Sequence, residues 1–251
     1  MTSTTIHNRV ALLVIGTGIV LAIWQATIAY YGLARIVLPT PLEVTNTLWK
    51  LLGSFQFWRD VRVSLTEFLL GYSIGGVTGI AVGVLIGARK DVRMVIGPVI
   101  EAMRFIVPFA WIPLTVLWFG TSLTGKVVLV AYAVFFVMVV TTARALATVE
   151  PTLTRVAVML GMRPWEVALK VHLRAAAPAI ASGAKAAAAV GWIAVVAAEY
   201  IGASAGLGVM ITNASMSLDT STVIAGMIVI GLIGAAVSWL VGLVARVWLN
   251  Y

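Results

Sequence analysis

Few residues in this chain are placed to do covalent chemistry. The two histidines, His7 and His172, stand far apart and cysteine is absent, so neither a disulfide framework nor a thiolate or histidine metal cluster is predicted. The apolar runs hold no Ser/Lys pair, no Asp/Asp pair and no H-E-x-x-H, the arrangements from which an intramembrane hydrolase is built. The glycine-rich stretch AAEYIGASAGLG at 197–208 lacks a G-K-[ST] and follows no strand, so it is not a P-loop. What remains is ionic. Arg104 falls about halfway along an apolar run, ~16 Å beyond Arg93 at helical rise, and just before Pro108. An arginine there is costly unless it is paired or faces water. Glu101, one turn earlier, is its nearest partner, which gives a structural salt bridge. The other reading is a pore-facing arginine that favours an anion, with Phe109, Trp111 and Trp192 narrowing the route. Glu199, beside the glycine break, then helps position an outer gate.

A second constellation is polar without being catalytic. In Thr148–Pro178, TVEPTLTRVAVMLGMRPWEVALKVHLRAAAP, Leu153, Val156, Ala157 and Leu160 recur at helical spacing. Pro151 suits the first turn of that helix and Gly161 its C-terminal cap. Pro164 restarts a second short helix after two residues. Along it Arg163, Glu166, Lys170 and Arg174 form a polar stripe, Trp165, Ala168 and Leu169 an apolar one, and Glu166 with Lys170 a favourable i, i+4 pair. Two short helices hinged at a glycine make a docking surface.

These residues need a membrane-embedded frame. The chain has 251 residues, 61% of them hydrophobic, and a mean hydropathy of +1.06, far outside the soluble globular range. Repeated apolar runs of about 20 residues predict an all-α polytopic membrane protein, and the absence of short alternating segments excludes an outer-membrane barrel. Six spans are expected in one domain over 1–251: Val10–Ala29, Val61–Gly87, Met94–Gly120 with kinks at Pro108 and Pro113, Val127–Leu146, Ala179–Tyr200 and Ser221–Trp248. Between the first two, Thr40 caps a helix beginning near Pro41. Its residues Leu42, Thr45, Leu48, Trp49 and Leu52 share a face suited to the membrane surface. Gly71, Gly75, Gly79, Gly83 and Gly87 form a small-xxx-small face for close packing against another helix, within or between subunits, as does the alanine run AKAAAAVGW. A formal charge of +8 without basic clusters interleaved with aromatics argues against nucleic acid. With the N-terminus inside, Arg89, Lys90, Arg93, Arg144, Lys185, Arg246 and the basic residues of 148–178 fall on the inner side. Arg35, Lys50, Arg59, Arg62 and Lys126 (the last in a polar turn, Ser122–Lys126) fall outside. The positive-inside rule therefore places 148–178 and both termini in the cytoplasm.

Four stretches, in order, carry a resemblance. LPTPLEV at 38–44, RFIVPFAWIPLTVLWFG at 104–120, LGMRPWE at 160–166 and AEYIGASAGLG at 198–208 resemble the permeases of bacterial ABC importers, in the nitrate, sulfonate and taurine subfamily. Phe105 stands where that subfamily has its first proline. Thr154-Arg155-Val156 replaces the usual Glu-Ala-Ala before the glycine, and Ala177-Pro178 the usual Leu-Pro. The resemblance implies the ABC-importer permease fold in a multi-pass protein of the bacterial inner membrane. It also implies that 148–178 is the cytoplasmic coupling segment seated on an ATPase subunit, with Arg155, Leu160, Gly161, Met162, Arg163, Pro164, Trp165 and Glu166 at the contact. The implied partners are a second copy of the chain, two ATPase subunits and an extracytoplasmic solute-binding protein, besides membrane lipid. This chain is expected to bind no cofactor, ATP and Mg belonging to the ATPase, and no metal. The solute is expected to be a small anion, such as nitrate, a sulfonate or taurine, or a related organic acid, moved by alternating access. An ion-coupled secondary transporter is the other class, disfavoured by six spans, no visible repeat and few acidic residues.

Overall fold

A computed structural model describes residues 3–32, 34, 36–200 and 204–249, which are helical nearly throughout and contain no strand. The helices are α1 (Ser3–Tyr31), α2 (Pro41–Leu52), α3 (Phe55–Ala88), α4 (Lys90–Met103), α5 (Ile112–Phe119), α6 (Leu123–Ala147), α7 (Pro151–Met159), α8 (Pro164–Glu166), α9 (Leu173–Tyr200), α10 (Leu207–Met216) and α11 (Thr220–Leu249). Among the described residues four helical runs are long and apolar enough to cross a membrane: α3, α6, Lys170–Tyr200 and Thr220–Val247. A fifth crossing combines α4 with Pro108–Phe119, and in α1 the stretch Gly18–Tyr31 is a shorter apolar helix. Four of the six expected spans coincide with these runs and a fifth with the bent pair. Val10–Ala29 falls in α1, whose apolar stretch is shorter than a span, so spanning length is met by four or five helices among the described residues.

The third span departs from expectation. Met94–Gly120 is not one kinked helix: its halves meet at 82°, with a 3₁₀ turn at Pro108–Trp111 between them. Pro108 lacks an N–H to continue the ladder, and the residue before a proline avoids the helical region; Val107 accordingly has ψ 138°. The carbonyls freed by the break need donors inside a bilayer. Met103 O accepts from Ile106 N at 3.0 Å, and the single proton of the Tyr132 hydroxyl, on α6, is shared between Met103 O at 2.9 Å and Ile106 O at 3.1 Å.

The chain forms two compact units, 1–58 with 210–229, and 59–209 with 230–251. In the first, α2 opens with a full capping box. Thr40 Oγ1 accepts from Glu43 N at 3.3 Å and Glu43 Oε2 accepts from Thr40 N at 2.9 Å, with Pro41 in the first turn. Val44 is buried, while Leu42, Trp49 and Leu52 are exposed, the amphipathic arrangement expected of a surface helix. Asp219 caps α11 through Thr222 N at 3.1 Å.

In the second unit α3, α6 and α9 pack against one another, α3 reaching α9 directly through Tyr72 Oη, which donates to Ala184 O at 3.0 Å. The glycines of α3 face successive turns of α6: Gly71 meets Val130, Gly75 the Ala131 backbone, Gly79 Met138, Gly83 Thr142 and Gly87 Leu146. A Cβ at Gly79 would lie 2.7 Å from Met138 Cβ, and one at Gly83 2.6 Å from Thr142 Cβ. The partner of the glycine face is thus a helix of the same chain. Between α9 and α6, Gly183 meets Thr141 and Gly191 meets Val134, and Ala187 and Ala188 of the alanine run are fully buried. Close approach of this kind replaces the hydrophobic drive that lipid does not provide.

Substituting Gly75 by Leu is expected to drive a side chain into the α6 backbone and abolish recovery of monodisperse protein from detergent. Gly76→Ala, where no atom lies within 4 Å, should leave recovery and thermal unfolding unchanged. Size-exclusion profiles of the two variants check this.

Candidate functional site

Asp60, Ser64 and Glu67 lie at i, i+4 and i+7 on α3 and are all buried, as are Lys126 and Glu199. Lys126 Nζ donates to Glu67 Oε1 at 2.5 Å, and Ser64 Oγ donates to Glu199 Oε1 at 2.6 Å. The chain re-entering the fold at α10 docks onto this cluster. Gly206 N donates to Asp60 Oδ1 at 3.1 Å, Leu207 N to Ser64 Oγ at 3.0 Å and Gly208 N to Glu199 Oε2 at 2.8 Å. The opening N–H groups of a helix lack intrahelical acceptors, and that end of the helix favours negative charge; α10 meets both needs here. Gly206, at φ +132°, has no room for a side chain, since a Cβ would overlap the Glu199 carboxylate. Two expectations are corrected. Lys126 belongs to no surface turn: α6 begins at Leu123 and Lys126 is buried within it, its charge matched by Glu67. Glu199 faces no route, being enclosed by Ser64, Gly206 and Gly208. The spacing of Asp60, Ser64 and Glu67 was the signal for this cluster. Ile201–Ala203 of the glycine motif lie outside the described residues.

The bend in the third span opens a different site. Arg104 ends α4 and lines a cavity of about 420 Å³ with Pro108, Tyr132, Phe136, Thr141 and Arg144. Glu101 bridges two guanidinium groups, Arg144 Nη2 at 3.0 Å and Arg104 Nη2 at 3.5 Å. The Arg104 guanidinium also lies 4.9 Å from the Phe105 ring centroid, a cation–π position. The expected Glu101–Arg104 pair is present, with Arg144 as a third member that the sequence reading had placed at the end of another span. One carboxylate against two guanidinium groups leaves the cluster with a net positive charge. Of the other residues expected on the route, Phe109 is exposed. Trp111 packs 5.5 Å from the Tyr132 ring and against Ile112, Leu129 and Ala198. Trp192 does not reach the cavity: it is buried in packing, its Nε1 donating to Ile230 O at 3.0 Å and its ring lying on Gly234.

The segment 148–178 folds as two short helices about a glycine. Gly161 has φ +76°, Gly161 N bonds Val158 O at 3.0 Å and Met162 N bonds Ala157 O at 3.1 Å. This paired pattern closes a helix over a left-handed residue, which glycine adopts without strain. α8 starts with Arg163 N donating to Glu166 Oε2 at 3.0 Å, and the expected Lys170–Glu166 pair is present at 3.0 Å. The Arg163 N–H, and then Lys170, hold the Glu166 carboxyl below its ordinary range. Its contribution to capping is therefore complete above that range and is lost as pH falls through the lowered value. A π-helical turn, Val167–His172, leads into α9, and His172 Nε2 and Thr154 Oγ1, 2.8 Å apart, tie that turn to α7. Ala157 and Val167 are buried, whereas Val156, Met159, Leu160 and Trp165 are exposed. Arg155, Gly161 and Arg163 are exposed beside them, with Met162 half-buried. The side chains of Pro164, Ala168 and Leu169 lie outside the described residues. An apolar patch ringed by charge marks an interaction surface.

Residues 75–249 match the family described as binding-protein-dependent transport system inner membrane component. The chain is 33% identical over 232 residues to the taurine transport system permease protein of Escherichia coli (strain K12), covering 90% of this chain and 84% of that one. It is 30% identical over 233 residues to a putative aliphatic sulfonates transport permease protein of Bacillus subtilis (strain 168), covering 93% and 84%. A chain of the inward-facing MetNI methionine ABC transporter superposes with a TM-score of 0.66 at 18% identity, covering 77% of this chain and 96% of that one, which shows a shared fold.

The buried cluster yields one expected outcome. Lys126→Met leaves carboxylates buried without their cation and should destabilise the protein by about 3 kcal/mol or more. Glu67→Met/Lys126→Met, which removes both charges, should recover most of that loss. Thermal unfolding in detergent checks this, and an unchanged single variant would remove the structural role.

Proposed function

The chain belongs to the family of binding-protein-dependent transport system inner membrane components, and we propose that it is the permease subunit of an ATP-driven importer for a small oxyanion. The chain is a multi-pass inner-membrane protein of the ABC-importer permease class. The observation that carries the finer reading is the exposed apolar patch of Met159, Leu160 and Trp165 beside the left-handed Gly161. It is a surface with no covering element of its own, at the point where the family resemblance puts the ATPase contact. Arg155, Met162, Arg163, Pro164 and Glu166 flank that contact. ATP and Mg belong to two copies of the partner ATPase; this chain contributes no hydrolytic group.

The transport step follows alternating access between two copies of the chain. Closure of the ATPase dimer draws the paired coupling segments together and opens the route toward an extracytoplasmic solute-binding protein; hydrolysis reverses the change. A solute shifts such an equilibrium only through its different affinity for the two states. Arg104 and Pro108 line the route, Phe109 and Trp111 border it, and Trp192 and Glu199 hold the helices that frame it. The excess charge of the Glu101, Arg104 and Arg144 cluster favours an anion. By their names the two relatives are a taurine and a putative aliphatic sulfonates transport permease, and a sulfonate is the solute class proposed here. The basic residues of the coupling segment and of the span ends support a cytoplasmic position for that segment and both termini.

Gly161→Val forces a β-branched residue to positive φ. It should insert normally yet lose ATPase association or transport-coupled hydrolysis in the reconstituted complex; wild-type coupling would remove the assignment. Arg104→Gln leaves Glu101 paired with Arg144, so assembly and basal ATP hydrolysis should persist. Uptake of a radiolabelled alkylsulfonate should fall about tenfold, the effect of ~1.4 kcal/mol. Unchanged uptake would exclude Arg104 from the route.

A further inference from the structure

A second basic site lies away from the bend, between α9 and α11. Lys185 and Arg246 line a cavity of about 290 Å³ together with Ser182, Trp239 and Leu243. Neither cation has a carboxylate within ion-pair distance among the described residues. The aliphatic stem of Lys185 runs close to α11 at Gly242, where a Cβ would lie 3.5 Å from Lys185 Cδ. Two unneutralised cations held around one recess on adjacent spanning helices repel each other and are poorly solvated in lipid. An anion between them removes both penalties.

Helix lengths place this recess at headgroup depth. The run Lys170–Tyr200 has 31 residues, ~46 Å at helical rise, some ~16 Å longer than the ~30 Å hydrocarbon layer. Tyr200 is an interfacial type of residue at one end, so the excess projects at the other. The hydrocarbon boundary then falls near residue 180, and Lys185 lies within ~8 Å of it, a depth from which a lysine reaches the interface by snorkelling. Arg246 belongs to the last turn of α11. Trp239, the type of residue that anchors at the interface, is exposed on the rim, as is Leu243. The mouth therefore opens toward acyl chains. The volume, about 290 Å³, falls just short of the ~300–1,000 Å³ range of small-molecule pockets, enough for a phosphodiester and its glycerol but not for the tails, which would run along Trp239 and Leu243.

We propose that Lys185 and Arg246, with Ser182, form a binding site for the phosphodiester headgroup of an anionic phospholipid between α9 and α11. The proposed function enters only in assigning the site to the cytoplasmic leaflet. Basic recesses between spanning helices on that side suit anionic headgroups.

The test uses the purified full-length chain, reconstituted in nanodiscs of phosphatidylcholine with a minor share of phosphatidylglycerol, then released for native mass spectrometry. The wild type should retain phosphatidylglycerol in preference to phosphatidylcholine, and excess inorganic phosphate should not displace it. Lys185→Gln/Arg246→Gln should lose that preference on the order of tenfold, while Lys185→Arg keeps it. Equal retention by the double variant overturns the proposal, and displacement by inorganic phosphate overturns it in favour of a soluble-anion site. If the double variant is not recovered, Lys185→Gln compared with Lys185→Arg decides by the same readout. Lipid retention is read without transport, so Gly161→Val protein should retain lipid like the wild type even if uncoupled, which separates failure of this site from failure of the transport reading.

Discussion

A helix that breaks within a bilayer must find protein partners for its freed backbone groups, because lipid offers none. The architecture of the second unit follows from how that need is met after α9. One face of α3 presents Asp60, Ser64 and Glu67, and the opening N–H groups of α10 dock on Asp60, Ser64 and Glu199. Burying three carboxylates, with Lys126 against Glu67 and Arg59 Nε 4.0 Å from Asp60 Oδ1 as the cations, is costly in isolation. It is sustained here because each carboxylate answers a named donor: Lys126 for Glu67, the Gly206 N–H for Asp60, and Ser64 with the Gly208 N–H for Glu199. The ion pair also fixes the start of α6 relative to α3, and with it the register in which the α3 glycines meet Val130, Ala131, Met138, Thr142 and Leu146.

The bend before Pro108 meets the same need by other means. There the freed groups are carbonyls, and the Tyr132 hydroxyl shares its one proton between two of them, Met103 O also accepting from Ile106 N. That economy leaves space. The turn is not plugged by carboxylates, and the cavity lined by Arg104, Pro108 and Arg144 lies beside it. Two breaks in one chain thus differ, one sealed by buried charge and the other bordered by a cavity.

The sequence made local geometry plain and long-range charge pairing obscure. Thr40 and Pro41 announced a helix start, Gly161 a left-handed cap, and the four-residue glycine repeat a close helix contact, because each feature depends on its immediate neighbours. Lys126 was misread because its partner lies 59 positions away, and a lysine near the end of an apolar run resembles an interfacial residue. Glu199 and Trp192 drew attention as polar groups within spans, but their donors and acceptors belong to α3, α10 and α11. The depth of the bend was illegible for a related reason: proline predicts a break but not its angle, which Tyr132 and the packing of Trp111 help to set.

The π-helical turn between α8 and α9 has a geometric consequence. An α-helix advances ~100° per residue, and a π-turn accommodates a residue beyond the regular repeat. Val167–His172 therefore sets the angular phase between Trp165, on the exposed patch, and the alanine face of α9 that packs on α6. The docking surface and the spanning helix are geared together like two cams on one shaft. A chain of this family that lost or gained one residue in that turn would keep both surfaces intact and point them in mismatched directions.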